Sequence, residues 1–165
     1  MAPNVQVRRA RLQDAQMIAD FVNKARPGTT SVTRMDVAER FSYVGFFIAE
    51  FEGQMVGLLG WQIENLVIRV TDFLIAPSID RVVAGKAMIT AMEEEGKNLE
   101  AEAAVLFLPA KPSAELVSFW ELFGYEKRLV AELPKAWREA VLEWNSTQNE
   151  VMLKKLREGM VRRPI

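Results

Sequence analysis

The 165-residue chain contains no cysteine and no histidine. Without cysteine there are no disulfides, thiolate nucleophiles or thiolate metal sites, and without histidine the commonest metal ligand and the usual neutral-pH base are missing. Any chemistry therefore runs on carboxylates, hydroxyls, lysine, tyrosine, backbone amides or water, and no metal is expected. Charge of one sign is lacking as well: 21 Lys plus Arg against 22 Asp plus Glu leave a formal net charge of −1, which gives no overall attraction to nucleic acid or to an anionic membrane. The local basic clusters, Arg8, Arg9 and Arg11 near the start and Arg162 and Arg163 in the tail, are not interleaved with aromatics as a single-strand groove requires, and they read as solvated charge. No apolar run approaches the roughly 20 residues that span a bilayer, and charged and polar residues stand where a signal peptide has its apolar region. A cytoplasmic protein without nucleic-acid or membrane partners is expected.

What is present fits one globular domain over residues 1–165, since 50% hydrophobic and 26% charged residues suffice for a sizeable core at this length. The stretch VQVRRARLQDAQMIADFVNKA reads as a strand and an amphipathic helix with Ala15, Ile18, Ala19 and Val22 on one face. Strand-like runs follow at 45–51, 55–63, 67–76 and 103–108, with turns at Glu52-Gly53 and Glu64-Asn65. A long helix begins near Ala84 and carries Ala84, Ala87, Met88, Ala91, Met92 and Leu99 as its apolar stripe. LPKAWREAVLEW predicts a short helix before a closing strand NEVMLKKL; its Trp137 and Trp144 are expected to cover the core rather than to meet a second subunit. Residues 27–44 begin as a Gly/Thr-rich loop and continue as a helix around DVAERF. Neither a dinucleotide fingerprint nor a complete P-loop is present, because Ala84-Gly85-Lys86-Ala87 lacks both the earlier glycine and the final hydroxyl.

The segment from Val67 to Leu99 carries the chemistry. An apolar strand, VIRVTDFLIAP, breaks at Pro77, crosses a short polar turn and enters the long helix at Gly85. A strand that hands the chain to a helix N-terminus leaves backbone N–H groups pointing one way, and with the helix dipole they favour an anion. This pattern resembles the pyrophosphate loop of the Gcn5-related N-acetyltransferase (GNAT) superfamily, in which a strand ending in Val-x-Pro precedes Arg/Gln-x-x-Gly-x-Gly/Ala and a long helix. Ile75-Ala76-Pro77 matches the strand end and Gly85 the last glycine, while Asp80 stands on the basic position and Val83 on the first glycine. Shifting the frame by one residue puts Arg81 on the basic position and Ala84 and Lys86 on the glycines. The order of the remaining elements is similar over nearly the whole chain, including SAELVSFWELFGYEKR as the last core helix and the following strand.

The resemblance implies an α/β fold with a central mixed, mostly antiparallel sheet of about seven strands flanked by helices. It also implies transfer of an acetyl group from acetyl-CoA, as co-substrate, to a small-molecule or peptide amine, with a homodimer as one possible assembly. For the pyrophosphate it points to the backbone from Arg81 through Val82, Val83, Ala84 and Gly85 to Lys86, for the thioester to the strand end at Leu74 and Ile75, and for a contact at the head of the last core helix to Ser113. Asp72 on the strand is the candidate base and Glu64 a second; burial among apolar neighbours would raise the Asp72 pKa, and the alternative is a hydrogen-bonded strand carboxylate. The position where the family often carries its tyrosine acid is Trp120, which cannot donate a proton, and Tyr125 falls on a structural aromatic position. Segment 27–44 is the implied acceptor-specificity element. Two classes of function follow: an N-acetyltransferase that binds its co-substrate mainly through backbone amides, or a non-catalytic protein of the same fold that binds a partner or CoA species without turnover.

Overall fold

The structure, a computed structural model, describes residues 4–29 and 31–157. Among these the elements run β1 (Gln6–Arg9), α1 (Ala15–Ala25), α2 (Arg34–Arg40), β2 (Gly45–Phe51), β3 (Gln54–Glu64), β4 (Val67–Ile75), α3 (Arg81–Asn98), β5 (Ala103–Leu106), α4 (Ala114–Glu121), β6 (Glu126–Leu129), α5 (Lys135–Trp144) and β7 (Glu150–Lys155). The strands form one sheet in the order β1-β2-β3-β4-β5-β7-β6. Val67–Arg69 of β4 pair in parallel with Ala103–Val105 of β5, while β1–β2, β2–β3, β5–β7 and β6–β7 are antiparallel. This is the mixed, mostly antiparallel seven-stranded sheet expected above. By contact density the chain divides into two compact units, one reaching to Gln62 and including Thr71–Met92, the other made of Ile63–Val70 and the chain from Glu93 onward.

In the first unit, α1 and α2 cover β2 and β3 through a cluster of Ala15, Ile18, Ala19, Val37, Val44, Phe46, Ile48 and Leu58. The i, i+3, i+4 spacing of Ala15, Ile18 and Ala19 puts them under α1, and Val22 packs half-buried at the margin. Helix α2 starts at a capping box in which Asp36 N–H donates to Thr33 Oγ1 and Thr33 N–H to Asp36 Oδ2, at 3.1 and 2.9 Å. The Glu52-Gly53 turn has φ of +50° and +76°, the hand that matches the twist of β2 and β3. The early half of α3 comes close to the sheet because Gly57 lacks a side chain; a Cβ there would stand 2.9 Å from Met88 Sδ. Arg8 is paired rather than solvated, its guanidinium donating to Asp14 at 2.9 and 3.1 Å and to Glu50 at 3.0 Å.

In the second unit, α5 lays Trp137, Ala140 and Val141 on Val67, Val105, Val151 and Leu153. Trp137 is fully covered and its Nε1–H donates to the buried Glu102 at 3.0 Å, so truncation to alanine would cost about 3–5 kcal/mol. Trp144 packs at the edge of the same cluster beside Arg69, which also lies 4.5 Å over the Phe107 ring. Pro134 is the N-cap of α5, one residue before the first turn expected for it. The β3–β4 turn is centred on Asn65 and Leu66, one residue beyond the predicted position, with φ of +43° and +68°. Leu99 leaves the predicted α3 stripe and is 43% exposed, while Ile89 joins it at 2%. Edge strand β6 is exposed throughout, and its Glu126, Lys127 and Arg128 discourage pairing with another chain. Arg162 and Arg163 lie outside the described residues.

Candidate active site

The predicted site residues fall into both units. Asp72, Leu74, Ile75 and Arg81–Lys86 lie in the first, Glu64 and Ser113 in the second. At the end of β4, Leu74 and Ile75 are half-buried and the following Ala76 N–H donates to Val56 O at 2.8 Å, which ties the exit of the strand to β3. Pro77 and Ser78 then carry the exposed turn into α3.

Helix α3 begins with its own carboxylate cap. Asp80 Oδ1 accepts from Val83 N–H at 2.9 Å, and Asp80 O accepts from Ala84 N–H at 3.1 Å. These are the side-chain and backbone bonds of an N-cap residue. Asp80 therefore does more than stand near the expected anion position: it satisfies one of the donors that the anion would use. The N–H groups of Gly85 and Lys86 lie past the first turn, where each has a helical acceptor four residues back. Of the backbone stretch expected to bind a diphosphate, Val83 and Ala84 N–H are committed to Asp80, Gly85 is buried, and Val82 N–H has no acceptor inside the helix. The exposed side chains of Arg81 and Lys86 give residues 80–86 two positive charges against the one negative charge of Asp80.

Asp72 is a hydrogen-bonded strand carboxylate. Its carboxylate receives two parallel bonds from Arg40 of α2, Nη1 to Oδ1 at 3.1 Å and Nη2 to Oδ2 at 2.6 Å, and Thr71 Oγ1 donates to Oδ2 at 2.7 Å. Asp72 lies against Gly60 of β3, where an added Cβ would stand 2.5 Å from Oδ2 and 2.6 Å from Thr71 Oγ1. The Arg40 side chain is 34% exposed and that of Asp72 15%. Arg40 stacks 5.2 Å over the Phe46 ring, and its pKa is raised chiefly by the hydrogen bonds to Asp72, so it stays charged at every accessible pH. Sequence reading found Asp72 and the DVAERF helix separately, and nothing in a linear sequence joins positions 32 residues apart. Gly60 inside the apolar run GLLGWQI was the available signal, because a strand glycine marks close approach.

Of the remaining positions, Ser113, Trp120 and Tyr125 have structural partners. Glu64 is half-buried at the end of β3, beside the turn. Ser113 is the N-cap of α4, its Oγ accepting from Leu116 N–H at 3.1 Å. Trp120 is 2% exposed and meets Tyr125 edge-on at 5.2 Å. Tyr125 is completely buried, with its hydroxyl donating to Glu93 Oε2 at 2.8 Å; burial foremost, then Glu93, pushes its pKa well above the usual tyrosine value. It cannot reach a substrate.

No protein-family model matches the sequence, and no curated protein matches it. Solved structures do. A PaiA N-acetyltransferase from Thermoplasma acidophilum in complex with coenzyme A superposes with a TM-score of 0.66 at 13% identity, over 92% of this chain and 99% of that one. An acetyltransferase of the GNAT family from Staphylococcus aureus gives 0.69 at 13%, over 93% and 100%. The ribosomal-protein-S18-alanine N-acetyltransferase of Escherichia coli gives 0.69 at 11%, over 98% and 100%. With the strand order, the β4–Pro77–α3 passage and these superpositions together, the chain has the fold of the Gcn5-related N-acetyltransferases.

Proposed function

We propose that the protein is an acetyl-CoA-dependent N-acetyltransferase acting on a small-molecule or peptide amine. The observation that carries the reading is β4 passing through Pro77 into the N-terminus of an 18-residue helix, in a fold that superposes end to end on acetyltransferases, one of them a coenzyme A complex. The diphosphate would be held by the exposed first turn of α3, with Arg81 and Lys86 supplying charge. An Asp80 carboxylate about 4 Å away costs on the order of 1 kcal/mol in water-like surroundings, comparable to the benefit of the helix dipole. The positive charges of Arg81 and Lys86 would offset that cost.

The reaction needs the acceptor ammonium to lose a proton. The neutral amine nitrogen then attacks the thioester carbonyl carbon, the N–C bond forms, the C–S bond breaks, the nitrogen gives up its second proton to solvent as the amide forms, and the thiolate takes up a proton. Asp72 is proposed as the first proton acceptor, since Oδ1 receives one bond and keeps a second lone pair, with Glu64 as the second candidate. With Trp120 unable to donate and Tyr125 buried, the thiolate takes its proton from solvent.

One observation favours a second reading, binding of a CoA species without turnover: both Asp72 oxygens already hold Arg40. Thermal unfolding with acetyl-CoA separates the possibilities. A ligand at one hundred times its Kd adds about 2.7 kcal/mol, so a rise in Tm is expected, together with thiol release across a panel of amines. A rise without thiol release selects the second reading, and no rise at millimolar acetyl-CoA overturns both.

A further inference from the structure

We propose that Arg40 is the receptor for a carboxylate on the acceptor, and that Asp72 holds its place until the acceptor arrives. This identifies the acceptor as a free amino acid with an apolar side chain, and the inference rests on the acetyltransferase reading above. The guanidinium offers Asp72 two parallel N–H bonds, the fork that any carboxylate can accept. Arg40 is the more exposed member of the pair and Asp72 lies inward against Gly60, so an incoming carboxylate meets the guanidinium first.

Each partner has an anchor of its own. Thr71 Oγ1 holds Asp72 and the Phe46 ring supports Arg40, so the two can separate without either losing its position. An α-amino acid is the ligand whose charges suit that separation. Its carboxylate and ammonium sit on neighbouring atoms, so once the carboxylate takes Arg40 the ammonium faces the released Asp72. Two attractive pairs replace one, and Asp72 becomes a proton acceptor only when an acceptor is present. The proton passes from the ammonium to Asp72 and the neutral amine attacks the thioester as above. A cavity of about 180 Å³ lined by Phe41, Val44, Phe46, Phe47 and Trp61, with Arg9 in its wall, includes the residue whose ring lies under Arg40 and offers aromatic and aliphatic surface to the acceptor's side chain. An amine lacking the carboxylate has nothing with which to open the pair.

The test compares phenylalanine with phenethylamine, and leucine with isoamylamine, on the wild-type protein, Arg40→Gln and Arg40→Lys, each confirmed folded by circular dichroism. The expected kcat/KM for each amino acid exceeds that for its amine by about tenfold or more. Arg40→Gln collapses the ratio toward one, the amino acid losing and the amine gaining, and Arg40→Lys restores part of it. A wild-type ratio near one, or a ratio unchanged by Arg40→Gln, overturns the proposal. If acetyl-CoA supports no turnover with any amine, the acetyltransferase reading falls. Calorimetric titration with phenylalanine alone then decides the role of Arg40: binding that is lost in Arg40→Gln upholds carboxylate recognition, and equal or absent binding in both proteins overturns it.

Discussion

At the scale of single residues, two helix ends use one motif with different residues. After α3, Glu100 N–H donates to Lys97 O at 3.0 Å and Ala101 N–H to Gly96 O at 2.7 Å; after α4, Gly124 N–H donates to Glu121 O at 3.0 Å and Tyr125 N–H to Trp120 O at 3.2 Å. Both are the paired bonds of a Schellman ending, which needs a left-handed residue at its centre. Gly124 takes φ of +91° freely, whereas Glu100 is forced to +65°, a conformation that costs an L-residue about 1–2 kcal/mol. Glu100 is exposed, so Glu100→Gly loses no packing. It is expected to stabilise the protein by about 0.5–1 kcal/mol once the added freedom of the unfolded glycine is subtracted. Gly124→Ala should cost at least about 1 kcal/mol, because a Cβ there also stands 3.3 Å from Lys154 Cε. Urea denaturation of the two variants checks both signs. The Gly124 ending was visible in the sequence because glycine before an aromatic after a helical run is a stop signal. The Glu100 ending was not, since glutamate signals continuation.

At the scale of elements, the start of α3 is where stability and binding oppose each other. Asp80 caps the helix through Val83, and the same carboxylate repels the proposed diphosphate. Asparagine caps about as well and carries no charge. Asp80→Asn is therefore expected to leave stability within about 1 kcal/mol, and to tighten acetyl-CoA binding about fivefold, the equivalent of roughly 1 kcal/mol. Asp80→Ala should lose about 1 kcal/mol of stability with the cap. Chemical denaturation and calorimetry read the two quantities separately, and an unchanged affinity in Asp80→Asn would remove the α3 N-terminus from the co-substrate site. The strands were legible because β2, β3, β4 and β5 are dominated by apolar residues, many of them β-branched or aromatic, with turn residues such as Gly53 and Asn65 between strands. The cap was not. Asp80 read as a loop position in a motif frame, and only the bond from Val83 reveals that the helix has already begun, which also withdraws the Ala84, Gly85 and Lys86 amides. The stripe of α3 was legible in period but not in extent, because the helix ends at Asn98 and Leu99 begins its turn outward.

At the scale of the whole molecule, the pH dependence of stability follows from groups whose pKa differs between the folded and unfolded chain, among them Asp14 and Asp36 on the acid side and Tyr125 on the alkaline side. On the acid side, Asp14 is held below the usual carboxylate pKa, mainly by the hydrogen bonds from Arg8. A carboxylate whose folded pKa is depressed stabilises above its unfolded value and loses that contribution as pH falls below about 4. On the alkaline side the sign reverses. Tyr125 is raised well above 10.0, first by burial and then by Glu93, because ionising it would put a second negative charge beside a carboxylate in the interior. Its contribution is fully present below the unfolded value and is lost as pH rises from about 10 toward the folded one. In Tyr125→Phe, Glu93 keeps its 2.9 Å bond from Lys154, so the variant should still fold, losing about 1–2 kcal/mol at pH 7 with the hydroxyl bond. Its alkaline limb should be flatter than that of the parent, since one proton no longer couples to unfolding. Denaturation series from pH 7 to about 11 measure the two slopes, and the same slope in both proteins would remove Tyr125 from the alkaline limb.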